Sequence, residues 1–148
     1  MVINAALRAA VPGDLACIVA LLKQARLPAV DLTCDGIRDF IVAREAGEII
    51  GVAGLERHGE HGLLRSLAVA PDWRGHGLGA ALVEAVEAKA RGLGVRSLTL
   101  LTGTAAPFFA ARGYEEITRS HAPAAVQAST EFTVLCPASS TCMHKTIH

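Results

Sequence analysis

Charge of one sign is missing from this sequence. Fourteen Lys and Arg offset fourteen Asp and Glu over 148 residues, a formal net charge of +0. Without a basic stripe, the composition argues against a nucleic-acid binder. With no polybasic run, nothing addresses a membrane surface. No stretch of ~18 uncharged apolar residues occurs, so no membrane span is expected. The N-terminus shows no basic segment ahead of an apolar run, so no secretory signal is read. The four cysteines, Cys17, Cys34, Cys136 and Cys142, form no C-x-x-C pair, which disfavours a zinc ribbon or redox dithiol. No metal site is expected, and reduced thiols in a cytoplasm are. Aromatics make up only 4%. What is present is apolar: 51% hydrophobic against 19% charged residues, which rules out a disordered chain. The length predicts a single domain over 1–148 with a real core.

Periodicity predicts a short strand at 5–10. Pro12-Gly13-Asp14 marks a turn, with Asp14 as helix N-cap. Leu15, Ile18, Val19, Leu21 and Leu22 share a helical face, and Pro28 closes that segment. Asp35 is read as capping a second short helix. Runs at 40–44, 48–55 and 63–69 read as adjacent antiparallel strands, joined by Ala46-Gly47 and by the turn from Gly59 to Gly62. A helix is predicted over 78–91, a strand over 97–101, a short helix over 105–112 and a strand over 114–118. Residues 120–130 stay unassigned, and 131–135 with 141–147 read as a closing hairpin. The order β-α-α-β-β-β-α-β-α-β-β defines an α/β domain with a largely antiparallel first half.

The most informative stretch is Val69-Ala-Pro-Asp-Trp-Arg74-Gly75-His76-Gly77-Leu78-Gly79-Ala80. A strand runs into a glycine-rich turn that opens a long helix. Glycines let successive amide N–H groups face one concavity and let a ligand approach closely. The helix N-terminus and Arg74 add positive charge, so the turn suits a pyrophosphate. A Walker A loop is excluded, because Gly79 is followed by Ala80-Ala81 and not by Lys-Ser/Thr. A dinucleotide fingerprint also fits poorly: the last small position holds Leu82, and no acid lies in Ser97–Leu101. What remains is R-x-x-G-x-G at Arg74, Gly77 and Gly79.

With the preceding Leu67-Ala-Val-Ala-Pro segment, that motif resembles the Gcn5-related N-acetyltransferase (GNAT) superfamily. The resemblance runs from Leu7 to about Ile147. It implies a mixed, mostly antiparallel sheet flanked by helices, with a splayed strand pair forming a cofactor wedge, and acetyl-CoA as cosubstrate. Amides of Arg74, Gly75, His76, Gly77, Leu78, Gly79 and Ala80 would wrap the CoA pyrophosphate. Leu67, Ala68 and Val69 would pair with the pantetheine arm, and the amide of Leu67 or Val69 would sit near the thioester oxygen. The segment Thr102-Gly-Thr-Ala105-Ala-Pro-Phe108-Phe109-Ala-Ala-Arg-Gly113-Tyr114 is similar to the family's second signature. Thr102 stands at its Asn position. Phe109 stands at its Tyr position and cannot protonate a leaving thiolate. Tyr114 replaces the final Phe and reads as a packed strand residue.

The implied reaction is attack of a neutral amine on the thioester. A carboxylate or His takes the amine's proton, and Glu56 or His61 is the candidate base. With Phe109 at the Tyr position, the acid falls to water or a hydroxyl such as that of Ser139. A thiol pKa near 8.5 makes a strong acid dispensable. Arg65, inside the apolar run Leu63-Leu-Arg-Ser-Leu-Ala-Val, needs a partner. An anionic acceptor group and a structural carboxylate such as Glu56 both remain open. The run, with Ala106-Pro-Phe-Phe and the C-terminal Glu131-Phe…Leu135-Cys-Pro-Ala-Ser-Ser-Thr-Cys-Met-His-Lys145, looks like N-acetyltransferases of bacterial arsenic-resistance operons. That implies a small amino-acid-like acceptor with an anionic head, including arsenic- or phosphorus-acid amino acids. Two rivals stand beside it: a protein N-terminal or Lys acetyltransferase, and a metalloid-binding module using Cys136, Cys142, His144 and Cys34. A homodimer is consistent with the family.

Overall fold

The computed structural model describes residues 6–137 and 139–147. Among the described residues, seven strands are ordered β1-β2-β3-β4-β5-β7-β6 by hydrogen bonding. They are β1 (Ala6–Ala9), β2 (Ile41–Glu45), β3 (Glu48–His58), β4 (His61–Val69), β5 (Ser97–Thr102), β6 (Glu115–Ile117) and β7 (Thr141–Thr146). The helices are α1 (Leu15–Gln24), α2 (Leu78–Gly92), α3 (Ala106–Ala110) and α4 (Ala124–Gln127). No described helix is long and apolar enough to cross a membrane. The chain divides into two compact units, Met1–Leu55 with Ser66–Lys89, and Glu56–Arg65 with Ala90–His148.

In the first unit, β1, β2 and the start of β3 pair antiparallel. The β2–β3 turn forms where the sequence predicts it. Both Ala46 (φ 50) and Gly47 (φ 82) are left-handed, which matches the right-handed twist of a hairpin. On one sheet face Val42 and Val52 join Phe40, Ile37 and the α1 residues Ile18 and Leu22 in an apolar cluster. The other face meets α2: a Cβ at Gly51 would lie 2.9 Å from a Leu82 methyl. The α2 sequence is rich in Ala, Leu and Glu, strong helix formers, and it buries Leu78, Leu82, Val83 and Val86.

Two readings in this unit change. Asp14 stands at the N-cap position, but its carboxylate accepts from Val11 N–H (2.9 Å) and from Arg8 Nη1 (2.8 Å), not from helix amides. No helix follows Asp35. Thr33 Oγ1 accepts from Gly36 N–H (2.9 Å) and closes a turn instead, because a segment this short containing Gly36 cannot offset helix nucleation.

In the second unit, β5 pairs antiparallel with β7 along its whole length, and β6 pairs with β7. The parallel β4–β5 ladder holds at His61↔Ser97, Gly62↔Leu98 and Leu63↔Thr99. Leu63, Cys142, Ala122, Val126 and Phe132 form its apolar cluster. The closing hairpin is a correction: Glu131–Leu135 is a π-helical turn, and β7 pairs with β5 and β6. The strand-favouring run Phe132-Thr-Val loses to burial, since Glu131 and Phe132 are buried together while Thr133 and Val134 are exposed. That pattern is helical, not alternating. Residues 120–130, left unassigned by periodicity, hold a short helical turn and α4.

Candidate active site

The glycine loop lies wholly in the first unit. Pro71–Trp73 makes one 3-10 turn, which closes with Trp73 N–H donating to Ala70 O (2.9 Å). Ala70 N–H donates to Ile50 O (2.8 Å), tying the loop's entry to β3. Arg74 is exposed, and its Nε donates to Val69 O (3.0 Å), folding the guanidinium back over the strand end. Gly75 (φ 80) and Gly77 (φ 83) are left-handed, and a Cβ on either would meet nothing within 4 Å. Their backbone is therefore open to an incoming group. The first intrahelical bond shown for α2 runs from Ala81 N–H to Gly77 O (3.1 Å). The amides of Leu78, Gly79 and Ala80 precede it and point out of the helix end. Charge, open backbone and outward amides together fit a pyrophosphate.

Within β4, Leu67 and Val69 are half-buried and Ala68 is buried. Sequence reading missed Ser66, which is left-handed (φ 60) in mid-strand. Such a backbone re-aims the groups that follow it and is uncommon for a residue with a Cβ. No sequence pattern marks it.

The titratable candidates gather in the second unit. Glu56 Oε1 lies 2.8 Å from His58 Nε2, and Glu56 Oε2 accepts from Arg65 Nη1 at 3.0 Å. Arg65 Nε lies 3.7 Å from Glu131 Oε1. The Arg65 side chain is 1% exposed and that of Glu131 6%, while Glu56 is 31% exposed. Arg65 thus has the structural carboxylate the sequence left open, and a second that it did not single out. Glu131 opens the C-terminal segment that carries the resemblance, where no role is read for it, and the fold reveals its pairing. His61 Nδ1 lies 2.8 Å from Ser97 Oγ. Along the same face, β5 places Thr99 opposite both Leu63 of β4 and His144 of β7. Burial holds His144 below the usual imidazole range of 6.5; His61 lowers it further and Glu115 opposes. Ser139 is exposed in the turn where Ser140 N–H donates to Pro137 O (3.0 Å).

The second signature also takes shape in this unit. Thr102 Oγ1 accepts from Ala105 N–H (3.0 Å), so the residue at the Asn position closes the turn into α3. Phe109 is buried edge-on between Phe108 (5.1 Å) and Tyr114 (5.6 Å). Tyr114 is 2% exposed, a packed strand-end residue as its position suggested. Among the described residues no group of three His, Cys, Asp or Glu side chains is placed to hold a metal ion. Burial pushes the Cys142 thiol up from 9.0, with Arg119 opposing, and a thiol kept protonated is a poor ligand for a soft metal.

A strand, an open glycine loop and a helix start in this order form a cradle suited to an anion on an α/β sheet. The Acetyltransferase (GNAT) domain family matches residues 36–116, more than half of the chain. The chain belongs to that family. It is similar to the amino-acid acetyltransferase of Pseudomonas paraeruginosa, with 38% identity over 91 residues, 60% of this chain and 21% of the relative. The match to the amino-acid acetyltransferase of Azotobacter vinelandii has the same extent. The chain therefore spans about a fifth of the length of the curated relatives it matches. Among solved structures it resembles N-acetylglutamate synthase from Neisseria gonorrhoeae complexed with coenzyme A and N-acetyl-glutamate. That likeness has a TM-score of 0.83 at 23% identity and covers 100% of this chain and 36% of that one. It also resembles Rv2747 from Mycobacterium tuberculosis in complex with CoA and NLQ, with a TM-score of 0.81 at 24% identity, covering 97% and 99%. At these identities the structural likenesses establish the fold.

Proposed function

We propose that this chain is an acetyl-CoA-dependent N-acetyltransferase whose acceptor is a small amino acid carrying a second anionic head. The observation that carries the reading is the open, left-handed glycine loop between Val69 and α2. Family membership supports the activity, and the relatives named amino-acid acetyltransferases support the acceptor class. Acetyl-CoA supplies the activated acyl group. Amides from Arg74 to Ala80 hold its pyrophosphate, and the backbone of Leu67, Ala68 and Val69 pairs with the pantetheine arm. The resemblance to the second signature assigns Thr102 and Phe109 to the same cofactor.

The acceptor amine attacks the thioester carbon, the C–S bond breaks, and the thiolate departs. An α-amine with a pKa near 8 is partly neutral already, so a modest base suffices. Glu56 takes that role. Arg65 and His58 fix its carboxylate, so its orientation costs little at the moment of reaction. His61, set by Ser97, is the second candidate. Water or the Ser139 hydroxyl returns a proton to sulfur. Arg65 recognises the anionic head, because its planar fork matches carboxylate, phosphonate and arsonate oxygens alike. A protein amine acceptor is the second reading. The partly exposed Glu56 carboxylate favours it, since a cationic partner can reach it.

Calorimetric titration of cofactor-free protein with acetyl-CoA tests the loop. Thiol release against a panel tests the acceptor: dicarboxylic amino acids, phosphorus- and arsenic-acid amino acids, and amino-terminal and lysyl peptides. Binding with turnover on an anionic amino acid is expected. Turnover on peptides alone selects the second reading, and absence of acetyl-CoA binding refutes the activity.

A further inference from the structure

Arg65 carries two roles that compete. An acceptor's anionic head needs its guanidinium, yet Glu56 lies on Nη1 at 3.0 Å and Glu131 beside Nε at 3.7 Å. We propose that Glu131 is a built-in stand-in for the acceptor's anionic head, seated beside Arg65 until the head of an incoming amino acid displaces it. The inference rests on the proposed amino-acid acceptor and names the residue that gates it.

The two carboxylates are not equivalent. The Glu56 contact is a hydrogen bond, from a strand facing its neighbour. The Glu131 contact is longer than a hydrogen bond, and it comes from a π-helical turn, Glu131–Leu135. Turns of this type are rare and concentrate at functional sites. The turn is closed by Cys136 N–H donating to Glu131 O (3.0 Å). Beyond Phe132, its outer side is solvated: Val134 is 74% exposed. Glu131 itself is buried, its side chain 6% exposed, so releasing it requires the turn to open.

The charge balance favours exchange over simple addition. Two carboxylates already share the one guanidinium, with His58 on the other oxygen of Glu56, and further charge desolvated beside them is costly. A third anion entering there would add to that cost. Replacing Glu131 by the acceptor's head leaves the charge around Arg65 unchanged and returns the Glu131 carboxylate to water. The exchange also discriminates. A neutral amide of the same length offers Arg65 a hydrogen-bond acceptor but no charge, so it competes poorly with Glu131, and the gate selects amino acids with a second anionic head.

The test compares wild type with Glu131→Gln, using L-glutamate and L-glutamine as acceptors. Removing the competing charge should lower the KM for glutamate about tenfold, with the gain in KM rather than kcat. The KM for glutamine should move less than about twofold. A glutamate KM that rises or stays, or one that falls equally for both acceptors, overturns the gate. A wild type that acetylates no anionic amino acid refutes the acceptor reading itself, a different outcome. Amide hydrogen exchange supplies a readout that does not need the variant. Glutamate added to wild type should speed exchange across 131–136, and glutamine should not; slowed or unchanged exchange with glutamate overturns the proposal.

Discussion

The glycine loop and the Arg65 cluster are built from opposite parts of the polypeptide. The loop is backbone: its working groups are amides, and its side chains either fold back, as Arg74 does onto Val69 O, or are absent, as at Gly75 and Gly77. The cluster is side chain: Glu56, Arg65 and Glu131 come from two strands and a helical turn, and they meet only once the fold has formed. A backbone site is broken by changing conformation. A side-chain site is broken by removing a charge.

The largest effect should follow from removing the central charge. Arg65→Ala leaves Glu131 buried without its cation and is expected to cost about 3 kcal/mol, the low end for breaking a buried pair, since Glu56 remains partly solvated. A denaturant titration reads this as a lower midpoint with unchanged slope. A loss below about 1 kcal/mol would place the pair among exposed ones and break the comparison.

Next come two glycines that differ in why they are glycine. Gly54 is one for space: a Cβ there would lie 2.5 Å from the Phe40 ring, itself 1% exposed. Gly54→Ala should cost about 2 kcal/mol by overpacking, with little effect on acetyl-CoA affinity in the folded fraction. Gly77 is one for conformation, with open space around it. Gly77→Val should leave the core intact and raise the acetyl-CoA KM about tenfold, about 1.4 kcal/mol of lost binding. Thermal melts and thiol-release kinetics on both variants check the split. An unchanged KM in Gly77→Val would remove the loop from the cofactor site.

The same division explains what the sequence made legible. R-x-x-G-x-G between a strand and an Ala-rich helix is local in the chain, and local features survive into the fold: the loop, α2 and the Ala46-Gly47 turn stand where periodicity put them. Arg65 announced itself as a charge in an apolar run, but its partners did not. Glu131 was hidden inside a segment whose β-branched residues read as a strand. Its burial beside Phe132 follows from tertiary packing, which overrides propensity. Ser66 was hidden for another reason, since a left-handed backbone at a serine leaves no mark on composition or period. Asp14 shows the intermediate case: the position was right, and the bond it makes was not, because Arg8 and Val11 N–H compete for the same carboxylate.

The smallest effect expected is a pH dependence that belongs to the side-chain half of the molecule. His144 stands opposite Thr99 on one side and Glu115 on the other. Its imidazole is held below 6.5 by burial first and by His61 second, against the pull of Glu115. Well above pH 6.5 the ring is neutral in folded and unfolded chains alike, and it contributes no slope. Below 6.5 the unfolded chain takes up a proton that the folded one resists, so the unfolded state binds more protons and stability falls as pH falls. The loss levels off once the folded ring also protonates. Denaturant midpoints followed from about pH 7.5 to about pH 5.5 should therefore decline in wild type, and less steeply in His144→Gln, which cannot take up that proton. Parallel curves would mean that His144 is solvated enough to titrate as in the unfolded chain, and that the polar row from Thr99 to Glu115 is open to water.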